Sequence, residues 1–216
     1  MRSASDFDAV TVDAMGTVVE LVDPTEALGR ALGERGVTAT EEEVRAGFAA
    51  EVAYYVEHAQ AGRDEESLRE LGRACAAVFL DHLGATLDPV EFAPAFVAAL
   101  ELRPLDGAVE ALERLRAAGL VLACVSNWDV SLGNRLAEAG VGHLFAAVAS
   151  SAEAGALKPD PGAFLLALER LGVEPTRALH VGDDTADQDG AVAAGIAFEP
   201  VPLATLPERL GLPPST

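Results

Sequence analysis

Phe7-Asp8-Ala9-Val10-Thr11-Val12-Asp13-Ala14-Met15-Gly16-Thr17 is the stretch on which the fold turns. A valine-rich run ends in a carboxylate and is followed closely by glycine and threonine, which reads as a buried strand entering a turn. From about Asp23 to Leu100 the pattern becomes helical. Asp23-Pro24 is a cap and first-turn pair. Thr40 to Glu43 is a capping box ahead of Val44, Phe48 and Val52. Leu68, Leu71, Cys75, Val78 and Phe79 recur at helical spacing. No strand signal interrupts this block.

Beyond Arg103-Pro104, strands and helices alternate. Asp106-Gly107 opens a helix to Ala118, Leu120 to Val125 is a strand, and Ser131 to Ala139 is helical. Phe145 to Ser150 is a strand, Asp160-Pro161 starts a helix through Leu171, and Ala178 to Val181 is a strand ending in Gly182-Asp183-Asp184. A short alanine-rich helix then precedes an apolar stretch near Ile196 to Val201. This rhythm predicts a parallel sheet covered on both faces. Because the first strand lies far upstream of the others, the helical block is expected to be an insertion. The tail from Leu212 to Thr216 is expected to be loose.

The chain has 216 residues, 50% of them apolar, and a net charge of −20. That length suits one domain carrying an insertion. The charge argues against nucleic acid or an anionic membrane as partner. Cys75 and Cys124 sit in apolar surroundings and read as buried thiols. The first residues form no apolar leader and no run is long enough to span a bilayer, so a cytoplasmic location is expected. Fourteen of the 15 basic residues are arginine, and the one lysine is Lys158.

Ligands of an open parallel sheet bind beyond the carboxyl ends of its strands. Four strand ends here carry polar residues: Asp13 with Gly16-Thr17, Ser126-Asn127, the segment leading to Lys158, and Asp183-Asp184 with Asp187. Clustered carboxylates repel unless a divalent cation neutralises them, and oxygen-only ligands favour Mg²⁺. A lysine and hydroxyls beside such a cation make a site for a tetrahedral dianion, and a carboxylate there can attack phosphorus.

Taken together these residues resemble the haloacid dehalogenase-like (HAD) hydrolase superfamily, most of whose members are Mg²⁺-dependent phosphatases. The motifs stand as Asp13-Ala14-Met15-Gly16-Thr17, Ser126-Asn127, Lys158-Pro159-Asp160-Pro161, and Gly182-Asp183-Asp184-Thr185-Ala186-Asp187 before Gly190-Ala191. The resemblance covers about Phe7 to Glu20 and Pro104 to Val201. It implies an α/β, Rossmann-like parallel-sheet core from residues 1–22 and 101–216, with an all-helical cap at 23–100. It further implies Asp13 as nucleophile and metal ligand, and the Met15 carbonyl and Asp183 as Mg²⁺ ligands. Asp184 and Asp187 would lie close to the ion or its waters. Thr17, Ser126 and the Asn127 backbone would hold phosphoryl oxygens, and Lys158 would neutralise both nucleophile and transferring group. The implied substrate is a small phosphorylated molecule.

One position departs from the pattern. Phosphatases of this family carry a second Asp two residues after the nucleophile as the general acid–base, and here that position is Met15. Loss of such a group costs about 10²–10⁴ in rate. Three readings remain: a phosphohydrolase with weakened acid–base catalysis, a dehalogenase-type hydrolase in which the aspartate attacks carbon, and a silent phospho-ligand binder. A phosphonate-cleaving branch needs a cap lysine, and the cap has none.

Glu20, Glu57, His58 and His82 are alternative proton donors, with His58 read mainly as surface or packing. Trp128 either lines the substrate cavity or packs. Asp129 and Asp160 read as helix caps, His180 as a core histidine, and Arg30, Arg35 and Arg45 as solvated surface.

Overall fold

The computed structural model describes residues 2–213. The chain divides into two compact units, Met1–Glu20 with Leu102–Thr216, and Leu21–Glu101. Its strands are β1 (Ala9–Val12), β2 (Val19–Leu21), β3 (Leu102–Pro104), β4 (Val121–Ser126), β5 (Ala147–Ser150), β6 (Ala178–Gly182) and β7 (Ala197–Pro200). Five of them form one sheet in the order β5-β4-β1-β6-β7, and every pairing is parallel. β2 and β3 form a separate two-stranded ribbon. At three residues each, they are too short to leave a periodic signal.

Both faces of the sheet are buried, as the continuous apolar strands require. One face carries the larger side chains, Val10, Val12, Leu122, Cys124, Leu179 and Val181. The other is lined by Ala9, Ala123, Ala147, Ala149 and Ala178. The small residues are matched by Phe164, which lies in the same cluster.

In the second unit α1 (Thr25–Gly33), α2 (Glu41–His58), α3 (Glu65–His82) and α4 (Pro89–Ala98) build an all-helical body. Thr40 and Glu43 form the expected capping box; Asp23 Oδ1 accepts from Thr25 N at 2.9 Å ahead of α1, which begins one residue after Pro24, and Asp64 caps α3 by accepting from Ser67 N. The core of this unit is built on Leu28, Leu32, Leu80 and a cluster of Phe79, Phe92 and Phe96, with Phe79 and Phe96 centroids 5.3 Å apart. His58 stacks on Tyr54 at 4.0 Å, so it packs within its own helix.

The first unit is completed by α5 (Ala108–Ala117), α6 (Leu132–Glu138), α7 (Ser151–Ala154), α8 (Gly162–Leu171), α9 (Thr185–Ala193) and α10 (Leu206–Arg209). α8 brings Phe164 onto the alanine-lined face, where a Cβ on Gly190 of α9 would come within 2.5 Å of its ring. Asp129 Oδ1 accepts from Ser131 N at 2.7 Å ahead of α6, and Asp160 Oδ1 from Gly162 N at 2.8 Å at the start of α8.

The tail departs from expectation where it is described. Leu212 packs on the core, and the Pro213 carbonyl accepts from Arg114 Nη2 at 2.5 Å. Burial of one apolar side chain and an arginine anchor hold these two residues. The rest of the expected loose tail, 214–216, lies outside the described residues. Among the described residues no helix is long and apolar enough to cross a membrane.

The topology selects one edge for binding. After β1 the chain fills β4 and β5 on one side, then returns to β6 and β7 on the other. The carboxyl ends of β1, β4 and β6 therefore flank the point where strand order reverses, the crevice such sheets use.

Candidate active site

Asp13 follows β1 directly, and its backbone N–H donates to the Val181 carbonyl at 2.9 Å, extending the ladder to β6. Its side chain is buried. Ser126, the last residue of β4, donates from Oγ to Asp13 Oδ1 at 2.9 Å. Lys158 lies in the loop between α7 and α8, with its ammonium buried. Nζ lies 2.5 Å from Asp13 Oδ1, 2.5 Å from Asp187 Oδ1 and 3.1 Å from the Val125 carbonyl. Three acceptors match the three ammonium protons. The Lys158 backbone is itself clamped: its N–H donates to Asn127 Oδ1 at 2.7 Å, and Asn127 Nδ2 donates to its carbonyl at 3.3 Å.

Asp183 leaves β6 and is exposed; its N–H donates to Asp187 Oδ2 at 3.3 Å. Asp13, Asp183 and Asp187 each offer a carboxylate oxygen, all within 4.8 Å of one another. Asp184 stands outside this trio and caps α9, accepting from Asp187 N at 2.8 Å. Two glycines make room. A Cβ on Gly16, whose φ is +76°, would come within 2.4 Å of Asp183 Oδ2, and a Cβ on Gly182 within 2.3 Å of Asp187 Oδ2.

Thr17 is buried, and its Oγ1 has no hydrogen-bond partner among the described residues. A buried hydroxyl left unpaired costs about 1–3 kcal/mol, so this atom calls for an explanation. Met15 is 37% exposed, in the turn after β1. Trp128 is half-buried against the first sheet face, and its backbone N–H donates to Ser151 Oγ at 3.1 Å. Of the alternative donors, Glu57 and His82 are exposed, and Glu20 pairs with Arg103 at 2.8 Å. Arg30, Arg35 and Arg45 are exposed as well.

The electrostatics are those of a site short of positive charge. Burial pushes the Asp13 carboxyl up, and the Asp187 charge adds to this against the pull of Lys158 and Ser126. Burial and the neighbouring Asp13 and Asp187 charges push Asp183 up as well. For Asp187 burial is outweighed by the His180 N–H and the Lys158 ammonium, which hold it down at about 2. Three carboxylates against one ammonium leave two negative charges to balance. An oxygen-only donor set with that deficit fits a hard divalent cation.

His180 is the residue whose place the sequence concealed. It fills the core as expected, fully buried, yet its Nε2 lies 3.0 Å from Asp187 Oδ1 and its Nδ1 2.9 Å from Thr11 Oγ1. The available signal was periodicity: in an alternating strand, His180 and Thr11 are polar residues on an otherwise apolar face.

Comparison with known proteins identifies the family. A sequence model of the haloacid dehalogenase-like hydrolases matches residues 7–195, and the chain belongs to that family. It is 33% identical over 145 residues to the phosphoglycolate phosphatase of Thiobacillus denitrificans, covering 61% of this chain and 63% of that protein. The match spans between 37% and 63% of the length of three curated relatives, this one included, and 79% of a phosphoglycolate phosphatase of Mesorhizobium japonicum. Among solved structures, the HAD-hydrolase YfnB of Bacillus subtilis bound to magnesium superposes with a TM-score of 0.73 at 18% identity, over 95% of this chain and 99% of that one. The L-2-haloacid dehalogenase of Xanthobacter autotrophicus with chloropropionic acid covalently bound gives 0.64 at 28%, over 95% and 83%.

Proposed function

We propose that this chain is a Mg²⁺-dependent phosphohydrolase that transfers the phosphoryl group of a small phosphorylated metabolite to Asp13 and then to water. The observation that carries the reading is the Lys158 ammonium between Asp13 and Asp187, with the Asp183 carboxylate alongside. Ser126 and Lys158 both bond Asp13 Oδ1, leaving Oδ2 without either donor. An oxygen of Asp13 would attack phosphorus while the ester P–O bond breaks, and the leaving oxygen departs with the bonding pair. Water would then attack phosphorus of the aspartyl-phosphate, releasing phosphate and restoring the carboxylate.

Asp13, Asp183, Asp187 and the Met15 carbonyl would hold Mg²⁺, with Asp184 beside its waters. The ion would supply charge neutralisation for the phosphoryl oxygens. Thr17 Oγ1 would find its missing partner in a phosphoryl oxygen, beside Ser126 and the Asn127 backbone. Trp128 would border the substrate. The helical unit would act as a cap that selects the substrate and excludes water. The phosphatase named among the relatives supports the phosphate-ester assignment. A cytoplasmic enzyme using no nucleic acid or membrane fits the acidic composition.

Met15 favours a second reading. It cannot protonate a leaving group, and carbon–halogen cleavage by aspartate needs no such proton. The likeness to a dehalogenase supports it; the carboxylate trio speaks for the phosphohydrolase. Hydrolysis of an activated aryl phosphate, with and without Mg²⁺, separates the readings. Slow metal-dependent turnover, abolished in Asp13→Asn and raised in Met15→Asp, is expected. Metal-independent halide release from a 2-haloacid would replace the first reading with the second. Cation binding with neither turnover would leave a phospho-ligand binder.

A further inference from the structure

We propose that Thr11 and His180 form a buried support for the site, with His180 as the positioning residue that holds Asp187, and through it Lys158, in register with Asp13. The proposal deepens the phosphohydrolase reading and rests on it for the reaction that is supported. β1 and β6 place Thr11 directly opposite His180 in the parallel ladder. Both are fully buried, and the Phe164 ring meets the imidazole edge-on, with centroids 4.8 Å apart at 85°. The ring is thereby fixed before any polar contact is counted.

Its two nitrogens then have distinct partners. A carboxylate only accepts, so Nε2, 3.0 Å from Asp187 Oδ1, carries the proton and donates. In the neutral ring Nδ1 is then an acceptor, and the Thr11 hydroxyl at 2.9 Å donates to it. Such a partner on the far nitrogen is what selects one tautomer. Asp187 Oδ1 therefore receives both His180 and Lys158, while Oδ2 receives the Asp183 N–H. Without the imidazole N–H, Asp187 keeps only the Lys158 ammonium and the long bond from the Asp183 N–H, so the carboxylate is held less firmly and the ammonium shared with Asp13 shifts with it. A histidine that only filled space would need neither partner; here both are supplied by residues in register or at the site.

Lys158 makes the test direct. Because it is the only lysine, nitrogen-15 lysine labelling yields a single side-chain ammonium signal. That signal, Mn²⁺ affinity by electron paramagnetic resonance, and kcat and KM on an aryl phosphate are to be measured for wild type, His180→Leu, His180→Gln and Thr11→Val. The wild type is expected to show a signal protected from solvent exchange. His180→Leu loses it, and Mn²⁺ affinity and kcat fall by about 10–100-fold, the usual effect of removing an outer support, with KM changing less. His180→Gln, which retains an N–H donor, recovers most of each. Equal behaviour of the Leu and Gln variants, or wild-type signal and affinity in His180→Leu, would make His180 a core filler and overturn the proposal. If His180→Leu does not fold, Thr11→Val decides: a weakened ammonium signal supports the relay, and an unchanged one overturns it. Two of the readouts need no turnover. A wild type that binds Mn²⁺ but hydrolyses nothing would sink the phosphohydrolase reading and leave this one standing.

Discussion

Lys158 and Asp13, 145 residues apart in sequence, meet with Nζ 2.5 Å from Oδ1. The same ammonium reaches Asp187 at equal distance, so one cation holds two buried carboxylates together. Removing it leaves both without their counter-charge. Lys158→Met is expected to lower stability in chelator by about 3–5 kcal/mol, the cost of breaking a buried ion pair from one side. Urea unfolding measures it. A loss below about 1 kcal/mol would show that the ammonium is not what balances these charges.

Thr17 should behave in the opposite sense. Its hydroxyl is buried with no partner among the described residues, and Thr17→Val removes that polar atom at nearly constant volume. Stability is expected to rise by about 1 kcal/mol while kcat/KM on an aryl phosphate falls. A drop in both would mean that the hydroxyl already serves the fold.

Gly182 tests how tightly the carboxylates are seated. A Cβ there would lie 2.3 Å from Asp187 Cγ and Oδ2, so Gly182→Ala must displace that carboxylate. The expected result is about 1–3 kcal/mol of lost stability together with weaker Mn²⁺ binding. Unchanged Mn²⁺ affinity would place Asp187 outside the cation site.

Glu51 carries a prediction for the helical unit. It is buried within α2, and burial pushes its carboxyl above the ordinary 4.5, opposed in part by a hydrogen bond from Cys75. The folded state thus holds the proton more tightly than the unfolded chain. This favours folding below pH 4.5, and the contribution is lost as pH rises through the folded value. Glu51→Gln should therefore stabilise the protein at pH 7, with the gain vanishing below pH 4.5, as read from denaturant midpoints across that range. A destabilised variant at pH 7 would refute the sign.

Much of this site could be read in the chain because its chemistry sits at strand ends. Asp13, Ser126 and Asp183 each terminate or directly follow an apolar run, and Lys158 stands out in a composition that otherwise uses arginine. What stayed hidden depends on register. Thr11 and His180 look like two ordinary strand residues until β1 and β6 are paired, and no local pattern aligns strands so distant in sequence. Asp183 and Asp184 are neighbours of the same type, yet the onset of α9 turns the second into a cap while the first joins Asp13 and Asp187. Asn127 clamps the Lys158 backbone with its side chain, a contact that spans 31 residues and leaves no periodic trace. The ribbon of β2 and β3 was too short to announce itself.

Water is expected to attack at phosphorus and not at the carboxyl carbon of an ester formed on Asp13. Turnover in oxygen-18 water tests it most directly, with the label followed in the released phosphate and in the peptide containing Asp13. Mg²⁺-dependent labelling of phosphate with an unlabelled Asp13 is expected. Label appearing in the Asp13 carboxylate with release of halide from a 2-haloacid, and no phosphate formed from the ester, would contradict it.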